Sequence, residues 1–149
     1  MEIERKYKVT SPLPDYQNYP CLKIEQAYLC TSPVVRIRRQ EDQYFLTYKS
    51  KGLLSREEYN LPLTAEAYEH LLAKADGIVL TKRRYLIPIR DTKLTIEFDV
   101  FEGVYEGLML AEVEFPTEEE ALSFTPPDWF GEDVTFSGEY QNSRLSRGL

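Results

Sequence analysis

Charged and hydrophobic residues alternate with a period of two along most of the chain. At the start, Glu2, Glu4 and Lys6 share one face of an extended segment, and Ile3 and Tyr7 share the other. The same alternation recurs over residues 24–30, 34–40, 43–50, 55–61, 78–87, 93–101 and 108–115. The pattern therefore predicts eight strands in hairpin-like succession, enough to close a barrel.

Two segments follow a helical pattern instead. Thr64 is of a residue type that caps helix N-termini, and the apolar stripe after it predicts a helix to about residue 75. Gly77 is the predicted stop signal for this helix. Thr117 and Glu120 have the spacing of a capping box, which predicts a short second helix. The tail beyond it carries no clear pattern. We expect a mainly β (α+β) fold, an eight-stranded antiparallel closed barrel or tunnel with a few short helices packed outside.

Composition indicates a globular chain. With 149 residues, 42% hydrophobic and 29% charged, residues 1–149 are expected to form a single domain. No run reaches the roughly 20 apolar residues of a membrane span, and the N-terminus is charged where a signal peptide is apolar. Cys21 and Cys30 have no metal-binding spacing, and His70 has no second histidine beside it. We expect a cytoplasmic protein with no membrane partner.

The net charge of −7 argues against DNA or another nucleic acid as a partner. The charges are nevertheless sorted by sign along the strands, whereas a solvated sheet face usually mixes them. Acidic pairs are Glu2/Glu4, Glu97/Asp99 and Glu112/Glu114, and basic pairs are Arg36/Arg38 and Lys82/Arg84. Like charges two residues apart on one strand repel, so each pair needs an opposite charge, a metal or a ligand. Facing inward, they predict a site for a metal-bound polyphosphate.

These residues resemble a known family. The opening Glu2-Ile3-Glu4-Arg5-Lys6 is similar to the ExExK motif of the CYTH superfamily, the triphosphate tunnel metalloenzymes. The later charged pairs follow in that family's order, with Lys49, Arg56 and Glu58 between them, and the tail around Tyr140, Asn142 and Leu145 resembles its C-terminal signature. One departure is Asn60, where the family often has an acidic residue, so we assign Asn60 no metal role.

The resemblance implies an eight-stranded tunnel that binds triphosphates with Mg²⁺ or Mn²⁺. On this basis the predicted metal ligands are Glu2, Glu4, Glu112 and Glu114, supported by Glu97 and Asp99. The predicted phosphate-binding residues are Lys6, Lys8, Arg36, Arg38, Lys49, Arg56, Lys82 and Arg84. Candidate catalytic residues are Tyr28, Glu58 and Lys49, with Tyr28 either a general base or a hydrogen-bond donor to phosphate, and Glu58 either a proton acceptor or a group that orders its neighbours.

The expected function is metal-dependent hydrolysis of a triphosphate, foremost inorganic tripolyphosphate, by in-line attack of water. Alternatives are a class IV-like adenylyl cyclase, a thiamine triphosphatase, and a non-catalytic module that binds polyphosphate or nucleotide. The expected partner is a small-molecule triphosphate, with the chain a monomer or homodimer. The inward set holds eight cations against seven carboxylates, so the negative charge belongs to the exterior and does not exclude a short polyphosphate inside.

Overall fold

The computed structural model describes residues 1–148, which form nine strands, three α-helices and two short 3-10 helices. The strands are β1 (Glu2–Lys8), β2 (Cys21–Thr31), β3 (Val34–Gln40), β4 (Gln43–Lys49), β5 (Ser55–Arg56), β6 (Glu58–Leu63), β7 (Asp76–Pro88), β8 (Thr95–Glu102) and β9 (Met109–Glu114). The helices are α1 (Ala65–Leu72), α2 (Glu118–Leu122) and α3 (Asn142–Leu145), and the 3-10 helices are Tyr16–Asn18 and Gly103–Tyr105.

The strands form one antiparallel sheet whose two edges meet. The order is β5-β1-β9-β8-β7-β2-β3-β4-β6, so the edge strands β5 and β6 are consecutive in the chain, separated by Glu57 alone. The backbone of Glu57 bonds to Ser50, with its N–H on the hydroxyl oxygen at 2.8 Å and its carbonyl on the N–H at 3.0 Å. The strand predicted over residues 55–61 is thus divided in two. The predicted barrel is confirmed, with nine strands where we expected eight.

The apolar faces of the strands point outward and are covered. Ile3 and Tyr7 of β1 pack with Phe115, Ala121 and Phe130 from α2 and the segment around it. On the other side of the barrel, α1 covers an apolar cluster of Ala27, Ile37 and Tyr68. The charged faces are left to the interior, because alternate side chains of a strand point to opposite faces.

The two predicted helices form with the predicted caps. The hydroxyl oxygen of Thr64 accepts a hydrogen bond from the N–H of Ala67, and that of Thr117 from the N–H of Glu120, both at 3.1 Å. However, α1 ends at Leu72, before the predicted stop at Gly77. Gly77 lies in β7 with φ +73°, and a Cβ there would sit 2.3 Å from the carbonyl oxygen of Ser146. This glycine serves the close approach of the C-terminal segment.

That C-terminal segment closes one end of the barrel. Leu145 of α3 is fully buried among interior residues of the strands, Leu80, Phe101 and Leu110. The N–H of Ile78 donates to the carbonyl of Ser146 at 2.6 Å, which fastens the segment to β7. The tail that showed no clear pattern in sequence is therefore part of the interior. No helix within residues 1–148 is long and apolar enough to cross a membrane.

Candidate active site

A cavity of about 150 Å³ lies inside the barrel and is lined almost entirely by polar and charged side chains. Every wall strand from β1 to β9 contributes through its inward face. The lining residues are Glu2, Glu4, Tyr28, Val34, Arg36, Arg38, Lys49, Arg56, Glu58, Asn60, Arg84, Glu97, Glu112, Glu114, Asn142 and Ser143. The structure thus brings together most of the predicted site residues, and leaves Lys6, Lys8, Lys82 and Asp99 outside the lining.

The seam where the barrel closes is held by ion pairs. The Lys49 ammonium donates to both oxygens of Glu2 at 3.0 Å and lies 3.2 Å from Glu58. The Arg56 guanidinium lies 3.4 Å from the same Glu2 carboxylate. Glu2 therefore faces two cations, which leaves its oxygens less available to a metal than the sequence pattern suggested.

A second network is centred on Asp99, which is fully buried. Its carboxylate accepts from Lys82 at 2.6 Å and from Arg84 at 2.7 and 2.9 Å, and Arg84 also donates to Glu97 at 3.0 Å. Burial lowers the pKa of Lys82 to about 7, aided by repulsion from Arg84 and opposed by Asp99. Lys82 and Asp99 thus neutralise each other outside the cavity lining. Arg84 is the one cation of this network that lines the cavity.

Lys6 and Lys8 follow Glu2 and Glu4 along β1. Lys6 is buried, 3.5 Å from Glu112, and donates to the Tyr140 carbonyl at 3.1 Å. Burial lowers its pKa, but the charges of Glu112 and Glu4 outweigh that effect and raise it. Lys8 lies over the ring of Tyr140, 4.9 Å from its centre. Both lysines therefore anchor or neutralise neighbouring groups in this structure.

Arg36 and Arg38 differ from the other interior cations. Among residues 1–148, neither forms an ion pair with a carboxylate. Arg36 donates to the Thr47 hydroxyl at 3.4 Å and Arg38 to the Gln26 side-chain oxygen at 2.9 Å, both neutral acceptors. Burial, together with the charges of Arg36 and Arg84, lowers the pKa of Arg38 to about 9. The cavity therefore holds two adjacent positive charges that no protein anion balances.

Two carboxylates of β1 and β9, Glu4 and Glu114, show the opposite imbalance. Burial and the neighbouring charges of Glu112 and Glu2 raise the pKa of Glu4 well above its usual value. Burial would also raise the pKa of Glu112, but Lys6, Arg84, Lys82 and a hydrogen bond with Glu4 hold it well below. The two neighbouring carboxylates thus differ, with the pKa of Glu4 raised and that of Glu112 lowered. Burial and nearby glutamates likewise raise the pKa of Glu114.

These carboxylates fit a hard divalent cation in chemistry and location. The repulsion from Glu112 and Glu2 that raises the pKa of Glu4 marks a place where a divalent cation would be favoured. One oxygen of Glu112, Oε1, is buried with no hydrogen bond, and its one ion-pair contact is Lys6 at 3.5 Å. Over the described residues, no three acidic, histidine or cysteine side chains already surround a common point as a metal centre. The donors are therefore present, and a metal would draw their side chains together.

Tyr28 and Glu58 are the candidate proton acceptors. Tyr28 is buried at the cavity wall, and the pairing register of β2 shifts on both sides of it, an irregularity of the kind that re-aims a side chain. Partial burial would raise the pKa of Glu58, but hydrogen bonds with Glu2 and Asn60 and the charge of Lys49 lower it to about 2. Glu58 is therefore a weak base, and its contacts order Lys49 and Asn60.

Two cavity residues from α3 are absent from the predicted site. Asn142 and Ser143 reach the lining from α3, in a segment whose resemblance was noted but whose structure was not assigned. Asn60 lines the cavity in a neutral role, accepting from Thr47 at 2.5 Å and donating to Glu58 at 3.1 Å. Thr47 of β4 is buried outside the lining and connects Asn60 to Arg36 through its hydroxyl group.

A larger cleft of about 970 Å³ adjoins the cavity. The two share Glu97 and Glu114 in their linings. The walls of the cleft are mostly apolar, with Leu94, Phe115 and Phe124 among them, and Glu120 adds a third carboxylate. The charged cavity thus opens beside an apolar and acidic rim.

A family model and two related proteins agree on the family to which this chain is similar. Residues 1–147 match the CYTH domain. The chain is 41% identical over 151 residues to the inorganic triphosphatase of Nitrosomonas europaea, covering 99% of this chain and 98% of that protein. It is 40% identical over 114 residues to an inorganic triphosphatase of Acetivibrio thermocellus, covering 74% of this chain and 70% of the other.

Solved structures agree in fold. The crystal structure of the inorganic triphosphatase NE1496 superposes with a TM-score of 0.73 at 35% identity, over 100% of this chain and 96% of that one. The PH1012 protein from Pyrococcus Horikoshii OT3 superposes with a TM-score of 0.61 at 20% identity, over 82% and 84% of the two chains, which shows the shared fold alone.

Proposed function

Because the chain belongs to the CYTH domain family, we propose that it is a metal-dependent hydrolase that cleaves inorganic triphosphate inside its barrel. Its curated relatives are inorganic triphosphatases, and the match to one of them covers both chains almost completely. Hydrolysis is therefore favoured over cyclisation of ATP, hydrolysis of thiamine triphosphate or binding without turnover.

The observation that carries this proposal is the pair of unbalanced arginines. Arg36, which is buried, and Arg38, which is half-buried, hold positive charge with no carboxylate partner, next to Arg84. Such an arrangement costs stability unless an anion occupies the cavity. The planar guanidinium groups match phosphate oxygens in geometry and charge. A short chain of phosphates supplies several anionic oxygens within one small cavity.

The metal is proposed to bind on the opposite wall. Glu4, Glu112 and Glu114 would hold it. Interior cations balance Glu4 and Glu114 least, Glu112 lies beside Glu4, and Mg²⁺ or Mn²⁺ suits oxygen donors. Glu97 is a further candidate at the rim, whereas Glu2 and Asp99 serve mainly the ion-pair networks. When bound, the ion would supply electrostatic stabilisation of phosphate charge.

The cationic side chains of this cavity would bind the phosphate chain, and Tyr28 would contact the attacking water or the phosphate. Arg36, Arg38 and Arg84 would bind the phosphate oxygens and stabilise charge on the transferred group. Lys49 and Arg56 would exchange their contacts with Glu2 for contacts with the substrate. Tyr28 is placed to accept a proton from the attacking water or to donate a hydrogen bond to phosphate. No covalent nucleophile is needed.

The direct test is phosphate release from a panel of substrates. Purified protein would be assayed with tripolyphosphate, ATP, thiamine triphosphate and pyrophosphate, each with Mg²⁺, with Mn²⁺ and with a chelator. We expect metal-dependent release that is fastest from tripolyphosphate. Cyclic AMP from ATP would instead establish a cyclase, and tight tripolyphosphate binding without turnover under every metal would establish a binding module.

We further propose that the enzyme works in the cytoplasm on a free small molecule, as a monomer or homodimer. The free thiols of Cys21 and Cys30 support a reducing compartment. Its acidic composition disfavours nucleic acid as a partner.

A further inference from the structure

Gln26 lies beneath the arginine pair with an unusual set of contacts. It is fully buried in β2, directly opposite Arg38 of β3 in the antiparallel register. Its side-chain oxygen accepts from Nε of Arg38 at 2.9 Å, and its side-chain nitrogen is buried with no hydrogen-bond partner. Since Nε is occupied, the two terminal nitrogens of Arg38 remain free for another acceptor.

Gln26 is a neutral partner for an interior cation, whereas the partners of other interior cations are carboxylates. Lys49, Arg56, Lys82 and Arg84 each have a carboxylate within ion-pair distance. Arg38 instead contacts the side-chain amide of Gln26, which has nearly the same size and shape as a glutamate side chain. An orphaned amide nitrogen is unfavourable in a buried position, and a carboxylate would remove it while neutralising Arg38. The amide therefore sacrifices local stability and keeps the positive charge unbalanced.

We propose that Gln26 is a positioning residue for the triphosphate site, which holds the Arg38 fork toward the cavity and keeps its charge available to the substrate. This inference rests on the proposed function, because it assumes that a phosphate chain occupies the cavity. It assigns to Gln26 no contact with the reacting atoms, and its effect on the reaction passes through Arg38.

The first experiment replaces the amide by a carboxylate of the same shape. Gln26→Glu is expected to raise KM for tripolyphosphate about tenfold, corresponding to one lost charged contact, while the Tm of the ligand-free protein rises by about 3 °C. Gln43→Glu, the same change at an exposed position of β4, is the matched control and should alter neither quantity. A Gln26→Glu protein with wild-type KM, or with both affinity and Tm lowered, overturns the inference.

The second experiment tests whether Gln26 acts through Arg38. Gln26→Leu removes the hydrogen bond without adding charge, and it is made alone and together with Arg38→Ala. We expect Gln26→Leu to weaken tripolyphosphate binding severalfold in the wild-type background and to have no further effect once Arg38 is absent. Equal effects in both backgrounds overturn the inference, even if Gln26→Glu fails to fold.

Binding is measured by calorimetry beside steady-state turnover, so that two failures can be told apart. If the wild-type protein releases no phosphate from tripolyphosphate, the proposed function fails, while the coupling of Gln26 to Arg38 is still read from binding. If the wild type turns over and the two residues are uncoupled, only the role of Gln26 fails.

Discussion

Glu4 of β1 lies directly opposite Glu114 of β9 in the antiparallel register, so two carboxylates face each other across one pair of the sheet. Like charges in such a pair destabilise a sheet. Burial adds to the cost and, with Glu112 and Glu2, raises the pKa of Glu4. The protein tolerates this repulsion on the wall where we place the metal.

Replacing Glu4 by Gln should therefore separate stability from activity. We expect metal-dependent hydrolysis to fall about 100-fold or more, because an amide cannot replace an anionic ligand. The metal-free protein should gain roughly 2 °C in Tm as the repulsion disappears. Phosphate release and thermal unfolding measure the two effects. Glu119→Gln, at an exposed position of α2, is the control. Unchanged activity at limiting metal would remove Glu4 from the metal site.

The stability gain of Glu4→Gln should depend on pH. The folded pKa of Glu4 is above its unfolded value, so its ionised form opposes folding. Below the ordinary pKa of a glutamate, Glu4 is protonated in both the folded and the unfolded protein. Wild type and variant should therefore be equally stable there. The variant's advantage should grow as pH rises through the folded pKa and then level off. Denaturation of both metal-free proteins across the acid to neutral range tests this, and an advantage that shrinks with rising pH contradicts it.

Glu2→Gln should have the opposite effect on stability, although Glu2 shares a strand face with Glu4. Glu2 neutralises Lys49 and Arg56 at the barrel seam, and its loss leaves Arg56 without a carboxylate partner and Lys49 with Glu58 alone. We expect unfolding free energy to fall by about 3 kcal/mol. Chemical denaturation of the two variants side by side is decisive, because equal shifts of one sign would mean that the seam ion pairs are not what distinguishes these glutamates.

Arg36→Ala should weaken binding of tripolyphosphate much more than binding of orthophosphate. A charged contact to the chain is worth about 2 kcal/mol, or roughly thirtyfold in affinity. Arg39→Ala, on the exposed side of the same strand, should leave both affinities unchanged. Titration calorimetry with the two anions makes the comparison. Equal losses for both anions would argue against a site that spans several phosphates.

Tyr28→Phe distinguishes the two roles left for this tyrosine. Because the pKa of Glu58 is lowered to about 2, we expect Tyr28 to be the proton acceptor. The variant should lose about 100-fold in kcat and show a flattened pH–rate profile with its fold intact. A profile of unchanged shape with a smaller loss would leave Tyr28 as a hydrogen-bond donor to phosphate.

The sequence predicted the strands well because alternation with period two is a local property. Sign-sorted pairs such as Arg36 and Arg38 also pointed correctly to a charged interior. What the sequence could not show is which charges neutralise each other. Lys82 and Asp99 look like ligand-binding residues by pattern, yet they bury each other because register places them on neighbouring strands. That pairing depends on the register between the two strands, which no local pattern encodes.

The same limit explains α3. Its four residues are too few to show a helical period, and its burial depends on Leu80 and Leu110 from distant strands. Gln26 escaped notice for a related reason, since its importance comes from lacking a charge at a position opposite Arg38. Neutral residues at such positions become visible only when the partners are in place.

The position of α3 in the barrel also determines when the newly made chain can complete its fold. β1 is synthesised before its neighbour β9, which ends at Glu114, and the segment that fills the barrel end runs to Leu145. β1 must therefore remain unpaired on that edge while the strands between them emerge from the ribosome. The cavity becomes complete only once α3 has been made, so a chain that stops before α3 is an unfinished barrel and not a weakened enzyme.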